Sequence, residues 1–385
     1  MKEFETYILP NGIKGIHRRV KSSITHCALV INAGTRDEHK DEYGLAHFAE
    51  HAFFKGTTHR KAYQVNCRLE NLGGELNAYT TKEDTTIHAT TLRGDFAKAV
   101  ELIADVAFNS TFPERELTKE REVIVDEINT YKDSPADMIF DTFDDMIFSG
   151  SELGHNILGT KAALARYTTE HIKRFIERTH TTDQMVFSSI GNMSVSAVQK
   201  VAMRYLAEQA SSKRVFQRSA PANVEPFEKI ITKHTHQTHC IVGARAYDIH
   251  AEKRLPLSLL INILGGPSAN SRLNILLREK NGLSYNIEAG YTPYNDCGAV
   301  AMYFSCDHHN TDHCRELIDK ELHSLRTTRL TARQLSLTKR QFLAQMAISM
   351  ENNEGYMLGA GKSYLVHDEI DTLEEVYKKV SAVTS

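Results

Sequence analysis

Two histidines and a glutamate near the N-terminus have the types and spacing of a metal site. The segment reads Gly-Leu-Ala-His47-Phe-Ala-Glu50-His51, and residues four apart lie on one helical face, about one turn apart. His47 and His51 can therefore direct both imidazoles to one ion, with Glu50 beside them. Neutral imidazole is a preferred zinc donor, and catalytic zinc takes three protein donors plus water. The alternative is a helix with two ordinary histidines, but burying these groups among large apolar residues requires partners, and a metal supplies them.

A third donor must come from another segment of the chain. A helix predicted over 114–131 carries Glu120 and Glu127, which are seven residues apart and therefore lie on nearly the same face. Both could instead be solvated surface charges, and spacing alone leaves the two interpretations open. Two histidines and one carboxylate would leave zinc with a net charge of +1, which lowers the pKa of bound water toward about 7 and polarises a carbonyl. Glu50 would take the proton of that water and return it to a leaving amine.

The elements that position these residues follow from the hydrophobic pattern. An Asn-Gly turn at Asn11-Gly12 joins two predicted strands within 3–19. The β-branched run 25–31 suits a buried strand, and a polar loop then leads to a helix that begins near Gly44. Further along, helices are predicted over 62–72, 94–108 and 114–131, with a strand pair within 75–91.

The second half of the chain repeats the opening pattern. Thr238-His-Cys-Ile-Val242 resembles Thr25-His-Cys-Ala-Leu29 at an offset of 213 residues, and a helix, two strands (284–289 and 299–305) and further helices follow in the same order. The same offset projects the metal motif onto apolar residues, so the second helix is predicted to be an apolar core helix without chemistry; the projected positions are Leu260, Ile263 and Leu264.

The pattern predicts an α+β fold made of two homologous α/β halves, each with an antiparallel-rich sheet flanked by helices. A metal-bearing N-terminal domain is expected over 1–210, a Pro-containing linker over 211–228 and a C-terminal domain without metal over 229–385.

Composition excludes several classes of function. A net charge of -3 argues against a broad surface for nucleic acid or anionic membranes. The longest apolar run, 255–264, is too short to span a bilayer, and the first residues lack the pattern of a signal peptide. Six scattered cysteines fit reduced thiols better than a disulfide framework. We therefore expect the cytoplasm or an equivalent reducing compartment.

The motif and its flanks resemble a known family. The segment from Gly44 to Thr57 is similar to the signature of the pitrilysin-type (M16) inverted-zinc metallopeptidases, in particular the half-length branch that includes mitochondrial processing peptidase and its bacterial relatives. The resemblance implies that Glu127, 76 residues after His51, is the third ligand and that Glu120 supports the site. It implies one zinc ion per chain and an endopeptidase that hydrolyses unfolded or extended peptides.

Two further segments resemble the substrate-binding elements of that family. Gly-Gly-Glu-Leu-Asn77-Ala78-Tyr-Thr is similar to an edge strand that pairs with the peptide backbone. Arg278 and Tyr285 match the Arg and Tyr of an Arg-x6-Tyr element, which implies contact with bound peptide and help to the oxyanion from the tyrosine. Without the resemblance, an ordinary strand entry, a loop arginine and a strand-start tyrosine are the simpler interpretations.

The resemblance also implies partners. Half-length members work in pairs that close like a clam shell around a chamber, so we expect a homodimer, with a heterodimer as the alternative. A noncatalytic subunit of the same fold is the rival function, and the complete set of ligand residues argues against it. The family typically continues with another helix beyond the position of Ser385, so a trimmed or short second domain is expected.

Overall fold

The computed structural model describes residues 3–385. With 48% helix and 19% strand, it confirms the predicted α+β class. The chain divides into two compact units, and neither is continuous in sequence. The first comprises the chain up to residue 130 with 155–219 and 349–372, and the second comprises 131–154, 220–348 and 373–385. One crossing falls inside the predicted linker 211–228; the predicted domain boundaries themselves remain a prediction.

The helices and strands are as follows. The strands are β1 (Glu5–Ile8), β2 (Lys14–Arg19), β3 (Ile24–Ile31), β4 (Glu75–Thr80), β5 (Thr85–Leu92), β6 (Met185–Gly191), β7 (Thr238–Ala246), β8 (Ser284–Pro293) and β9 (Gly298–Cys306). The helices are α1 (Leu45–Phe53), α2 (Ala62–Glu70), α3 (Phe96–Phe108), α4 (Glu114–Lys132), α5 (Pro135–Ile147), α6 (Lys161–Leu164), α7 (Thr169–Thr179), α8 (Val195–Tyr205), α9 (Arg254–Gly265), α10 (Thr311–Thr327), α11 (Ala332–Met350), α12 (Asn353–His367) and α13 (Leu373–Ala382).

The first unit is built on a six-stranded sheet in the order β1-β2-β6-β3-β5-β4. Only the β2–β6 pairing is parallel, and the other neighbours are antiparallel. Every residue of β6 is buried, because this strand lies inside the sheet and helices cover it. In contrast to β6, β4 forms one edge of the sheet, so one side of its backbone has no strand partner among the described residues.

Helices pack on both faces of this sheet. α3 packs on β3 and β5, while α1 packs against α7 and β4. On the other face α12 packs on β3 and β6, where Ser188 donates a hydrogen bond to the carbonyl of Met357 at 2.9 Å. Gly361 faces Val30 and Ser188 so closely that an added Cβ would lie 2.9 Å from the Val30 side chain. Residues 349–372 therefore complete the core of the first unit although they lie far away in sequence.

The second unit repeats part of this arrangement. Its sheet has the order β7-β9-β8 with antiparallel pairing, which matches the β3-β5-β4 part of the first sheet. α9 occupies the sequence position that corresponds to α1. Leu264 of α9 is buried as predicted, whereas Leu260 is 38% exposed, so the prediction of a fully apolar core helix is correct for only part of its face.

Two predictions about the chain as a whole can be compared with the structure. Within residues 3–385, no helix combines the length and apolarity required to cross a membrane. All six cysteines are free thiols, which agrees with the expectation from their scattered spacing. The predicted compartment remains a prediction.

Candidate metal centre

A buried carboxylate fixes the start of the helix that carries the two histidines. α1 begins after Gly44, whose φ of 90° lies in the left-handed region, and glycine has no side chain to cap the helix. Glu38 takes this role, because its oxygens accept hydrogen bonds from the backbone N–H groups of Gly44 (3.0 Å) and Ala46 (2.7 Å). The same carboxylate lies 2.7 Å from Nε2 of His155. This anchor sets the position of the first histidine, one residue after Ala46.

The structure brings together the three residues predicted as ligands. His47 and His51 lie on one face of α1, with their ring centroids 4.6 Å apart. Glu127 approaches from α4, with Oε2 3.8 Å from Nε2 of His47 and 3.7 Å from Nε2 of His51. One donor atom from each residue falls within 4.8 Å of the other two. Among residues 3–385, this is the one such group of three metal-binding side chains.

The donors fit a divalent cation in kind and number. Two imidazoles and one carboxylate are a known three-donor set for catalytic zinc. Burial, and then the charge of His51, lower the pKa of His47 to about 3, so this ring is neutral and able to bind a metal at neutral pH. Nδ1 of His47 is buried and has no hydrogen-bond partner in the described part of the chain.

Glu50 lies beside the three donors on the same helix. One of its oxygens is buried and has no hydrogen-bond partner within residues 3–385. Burial raises the pKa of Glu50, while Thr80 and His51 act in the opposite direction. The Glu50 carboxylate is therefore close to His51 and to Thr80, the last residue of β4.

Glu120 contacts the second histidine, His51, through the ring nitrogen that does not face Glu127. Its Oε1 lies 2.8 Å from Nδ1 of His51, and its Oε2 lies 2.5 Å from Nζ of Lys55. With Nδ1 donating to this carboxylate, Nε2 of His51 is left to face Glu127. Burial raises the pKa of Glu120, but the contacts with His51 and Lys55 outweigh it and lower the pKa below its usual value.

The predicted substrate strand is an exposed edge. Asn77 and Ala78 lie in β4, which pairs on its inner side with β5 through the partners His88 and Ile87. The outer side of β4 is the sheet edge, and the side chain of Asn77 is exposed. Because α1 packs against β4, the edge strand and the metal donors belong to the same part of the first unit.

The predicted arginine–tyrosine pair lies in the second unit. Cζ of Arg278 lies 4.5 Å from the ring centroid of Tyr285, which is a cation–π contact. Tyr285 is 71% exposed, so its hydroxyl is accessible. The structure therefore brings these two residues to each other, and their contact with a peptide remains a prediction.

The sequence alone does not indicate the contacts of Glu38 and Lys55. Glu38 caps α1 from six residues before Gly44, a separation that the three-residue capping-box pattern does not cover. Lys55 lies inside the Gly44–Thr57 segment, but a lysine just after a helix ordinarily indicates a favourable interaction with the helix dipole. Its proximity to Glu120 depends on where α4 lies relative to the end of α1.

Two family models match consecutive parts of this chain. "Insulinase (Peptidase family M16)" matches residues 17–161, and "Peptidase M16 inactive domain" matches residues 166–342. The Uncharacterized zinc protease YmxG of Bacillus subtilis is 31% identical over 353 residues, covering 92% of this chain and 86% of that protein. The chain belongs to peptidase family M16. A second M16 relative, an Uncharacterized zinc protease of Rickettsia felis, is 30% identical over 92% of this chain and 85% of its own length.

Solved structures have the same fold as this M16 chain. A peptidase M16 inactive domain from Pseudomonas fluorescens has a TM-score of 0.91 with 18% identity, covering 99% of this chain and 92% of that one. A protease from Helicobacter pylori has a TM-score of 0.89 with 19% identity, covering 99% and 93%. At these identities the likeness establishes the fold alone.

Proposed function

We propose that this M16 chain is a zinc-dependent endopeptidase that hydrolyses extended or unfolded peptides. The observation that carries the proposal is the convergence of His47, His51 and Glu127 within 4.8 Å, with Glu50 beside them on α1. These three side chains would hold one zinc ion per chain. The relatives named zinc proteases support the choice of metal.

Bound zinc supplies a Lewis acid that activates water and polarises the peptide carbonyl. Glu50 acts as general base: its unpartnered oxygen accepts a proton from the attacking water, and the resulting carboxylic acid delivers it to the leaving nitrogen. Glu120 keeps Nδ1 of His51 occupied, so that Nε2 serves as the donor. Glu38 fixes the helix on which these groups lie.

The edge strand β4 accounts for binding of extended substrates. A peptide that adds as a further strand uses its backbone for affinity, with little demand on its sequence. The exposed outer edge at Asn77 and Ala78 offers these backbone groups. A folded protein has its own strands paired and does not offer a free one, so cleavage should favour unfolded chains.

Partners follow from the same proposal. The partner in the reaction is a peptide, and two copies of this chain would form the working assembly, with a heterodimer as the alternative. A noncatalytic subunit would have no need for the complete set of His47, Glu50, His51 and Glu127. Sedimentation of the purified chain, alone and with peptide, tests the homodimer: a monomer at all concentrations that still cleaves peptide would contradict it.

The metal requirement tests the function with a matched pair of variants. Glu127→Gln removes a donor, whereas Glu122→Gln makes the same chemical change at an exposed position of α4. We expect wild type and Glu122→Gln to bind one zinc per chain and to lose peptide cleavage on chelation, with recovery at one equivalent of zinc. Glu127→Gln should bind zinc at least about tenfold more weakly. Cleavage that persists after complete metal removal would refute the proposal.

A further inference from the structure

A lysine completes a chain of contacts that leads away from the second histidine. The carboxylate of Glu120 is held on both sides, by Nδ1 of His51 at 2.8 Å and by Nζ of Lys55 at 2.5 Å. The Glu120 side chain is only 8% exposed and that of Lys55 is 23% exposed. Lys55 lies two residues after the end of α1, and Glu120 belongs to α4. The pair therefore joins the two helices that supply the metal donors.

We propose that Lys55 is a positioning residue of the zinc site, which fixes Glu120 so that its carboxylate holds the His51 ring with Nε2 toward the metal. The inference rests on the proposed function. A glutamate side chain with a single hydrogen bond can rotate about its terminal bonds, and the imidazole it holds then rotates with it. Contacts on both oxygens remove that freedom. Residues that orient ligands in this way typically contribute 10- to 100-fold to metal affinity.

Charge and position predict opposite effects of removing the lysine. Lys55→Met takes a positive charge away from the neighbourhood of a bound cation, and by Coulomb's law this alone would strengthen zinc binding. Loss of the contact with Glu120 releases the carboxylate and weakens binding. The sign of the change in zinc affinity therefore decides whether Lys55 acts through its charge at a distance or through the geometry of Glu120.

Zinc affinity of the full chain, measured by competition with a chromophoric chelator, tests the proposal without reference to activity. We expect Lys55→Met to weaken zinc binding about tenfold and Lys55→Arg to stay within about threefold of wild type, because a guanidinium can also contact the carboxylate. The matched control is Lys119→Met, which removes the same positive charge at the surface. Lys119 is 58% exposed and pairs with Glu116. Its zinc affinity should equal that of wild type.

A double-mutant cycle shows whether Lys55 acts through Glu120. If it does, Lys55→Met adds no further loss in a Glu120→Gln background, since the carboxylate it positions is already absent. A full additional tenfold loss in that background would overturn the proposal, as would unchanged or tighter binding by Lys55→Met alone. Lys55→Ala provides the same comparison should the methionine variant not fold.

Failure of this inference is distinguishable from failure of the proposed function. Wild type that binds no zinc would remove the metal site and the role of Lys55 together. Wild type that binds zinc and cleaves peptide, beside a Lys55→Met variant of normal zinc affinity, would overturn the role of Lys55 alone.

Discussion

Replacing Glu38, the residue that caps α1, by glutamine should destabilise the protein. Glu38→Gln keeps the shape of the side chain but leaves one acceptor oxygen where Gly44 and Ala46 now use two. The amide NH2 group must then face a backbone donor, which leaves at least one buried N–H without an acceptor at a cost of about 1–3 kcal/mol. Burial raises the pKa of Glu38 well above its usual value, so removing the charge offsets part of this cost. We expect a net loss of about 1–2 kcal/mol in the free energy of unfolding.

Urea unfolding of the zinc-free protein measures this loss, with Glu122→Gln as the control at an exposed position. The control should lie within about 0.5 kcal/mol of wild type. Because the cap lies one residue before His47, Glu38→Gln should also weaken zinc binding, while Glu122→Gln should not. If Glu38→Gln is as stable as the control, the Glu38 carboxylate does not hold the start of α1.

Three further predictions follow from the same structure. Gly44→Ala should lower the free energy of unfolding by about 3 kcal/mol, because its Cβ would lie 2.7 Å from the carbonyl oxygen of Leu158 at a left-handed φ; urea unfolding would refute this if the variant matched wild type. His180 has a pKa lowered to about 4 by burial, so only the unfolded chain takes up its proton as the pH falls from 7 to 5, and this group costs the fold about 2 kcal/mol over that interval. Between pH 7 and pH 5, the free energy of unfolding of zinc-free His180→Gln should therefore fall less than that of zinc-free wild type. Equal decreases in the two proteins would contradict the lowered pKa of His180. Tyr285→Phe should lower kcat about 100-fold with little change in KM if its hydroxyl stabilises the oxyanion; unchanged steady-state kinetics would remove it from that role.

The parts of the candidate site that the sequence predicts depend on residues close together in the chain. The separation of His47 and His51 fixes their shared face, because helix geometry depends on near neighbours. The strands β3, β4 and β5 likewise follow from runs of alternating or continuous apolar residues. The choice of Glu127 over Glu120 as the third donor depended on the family resemblance, because both lie on nearly the same face of α4.

The contacts that escaped prediction depend on packing between distant segments. Glu38 caps α1 across a loop, and Lys55, just after α1, contacts Glu120 of α4. No local pattern indicated that α12 packs on β3 and β6 of the first unit. Leu260 was predicted to be buried from an ungapped repeat, but such an alignment does not fix the rotation of a helix about its axis, and this residue is 38% exposed.

The proposed peptidase activity is best tested by cleavage of an unstructured peptide of about 20–30 residues. Zinc-loaded wild type and Glu50→Gln are compared, with cut sites read by mass spectrometry. We expect both proteins to bind one zinc ion and wild type to cut the peptide. Glu50→Gln should be slower by a factor of about 100 or more, as expected for loss of a general base. Near-normal turnover by Glu50→Gln would contradict the assigned mechanism. No cleavage by wild type across a diverse peptide panel would contradict the peptidase itself and favour a noncatalytic subunit.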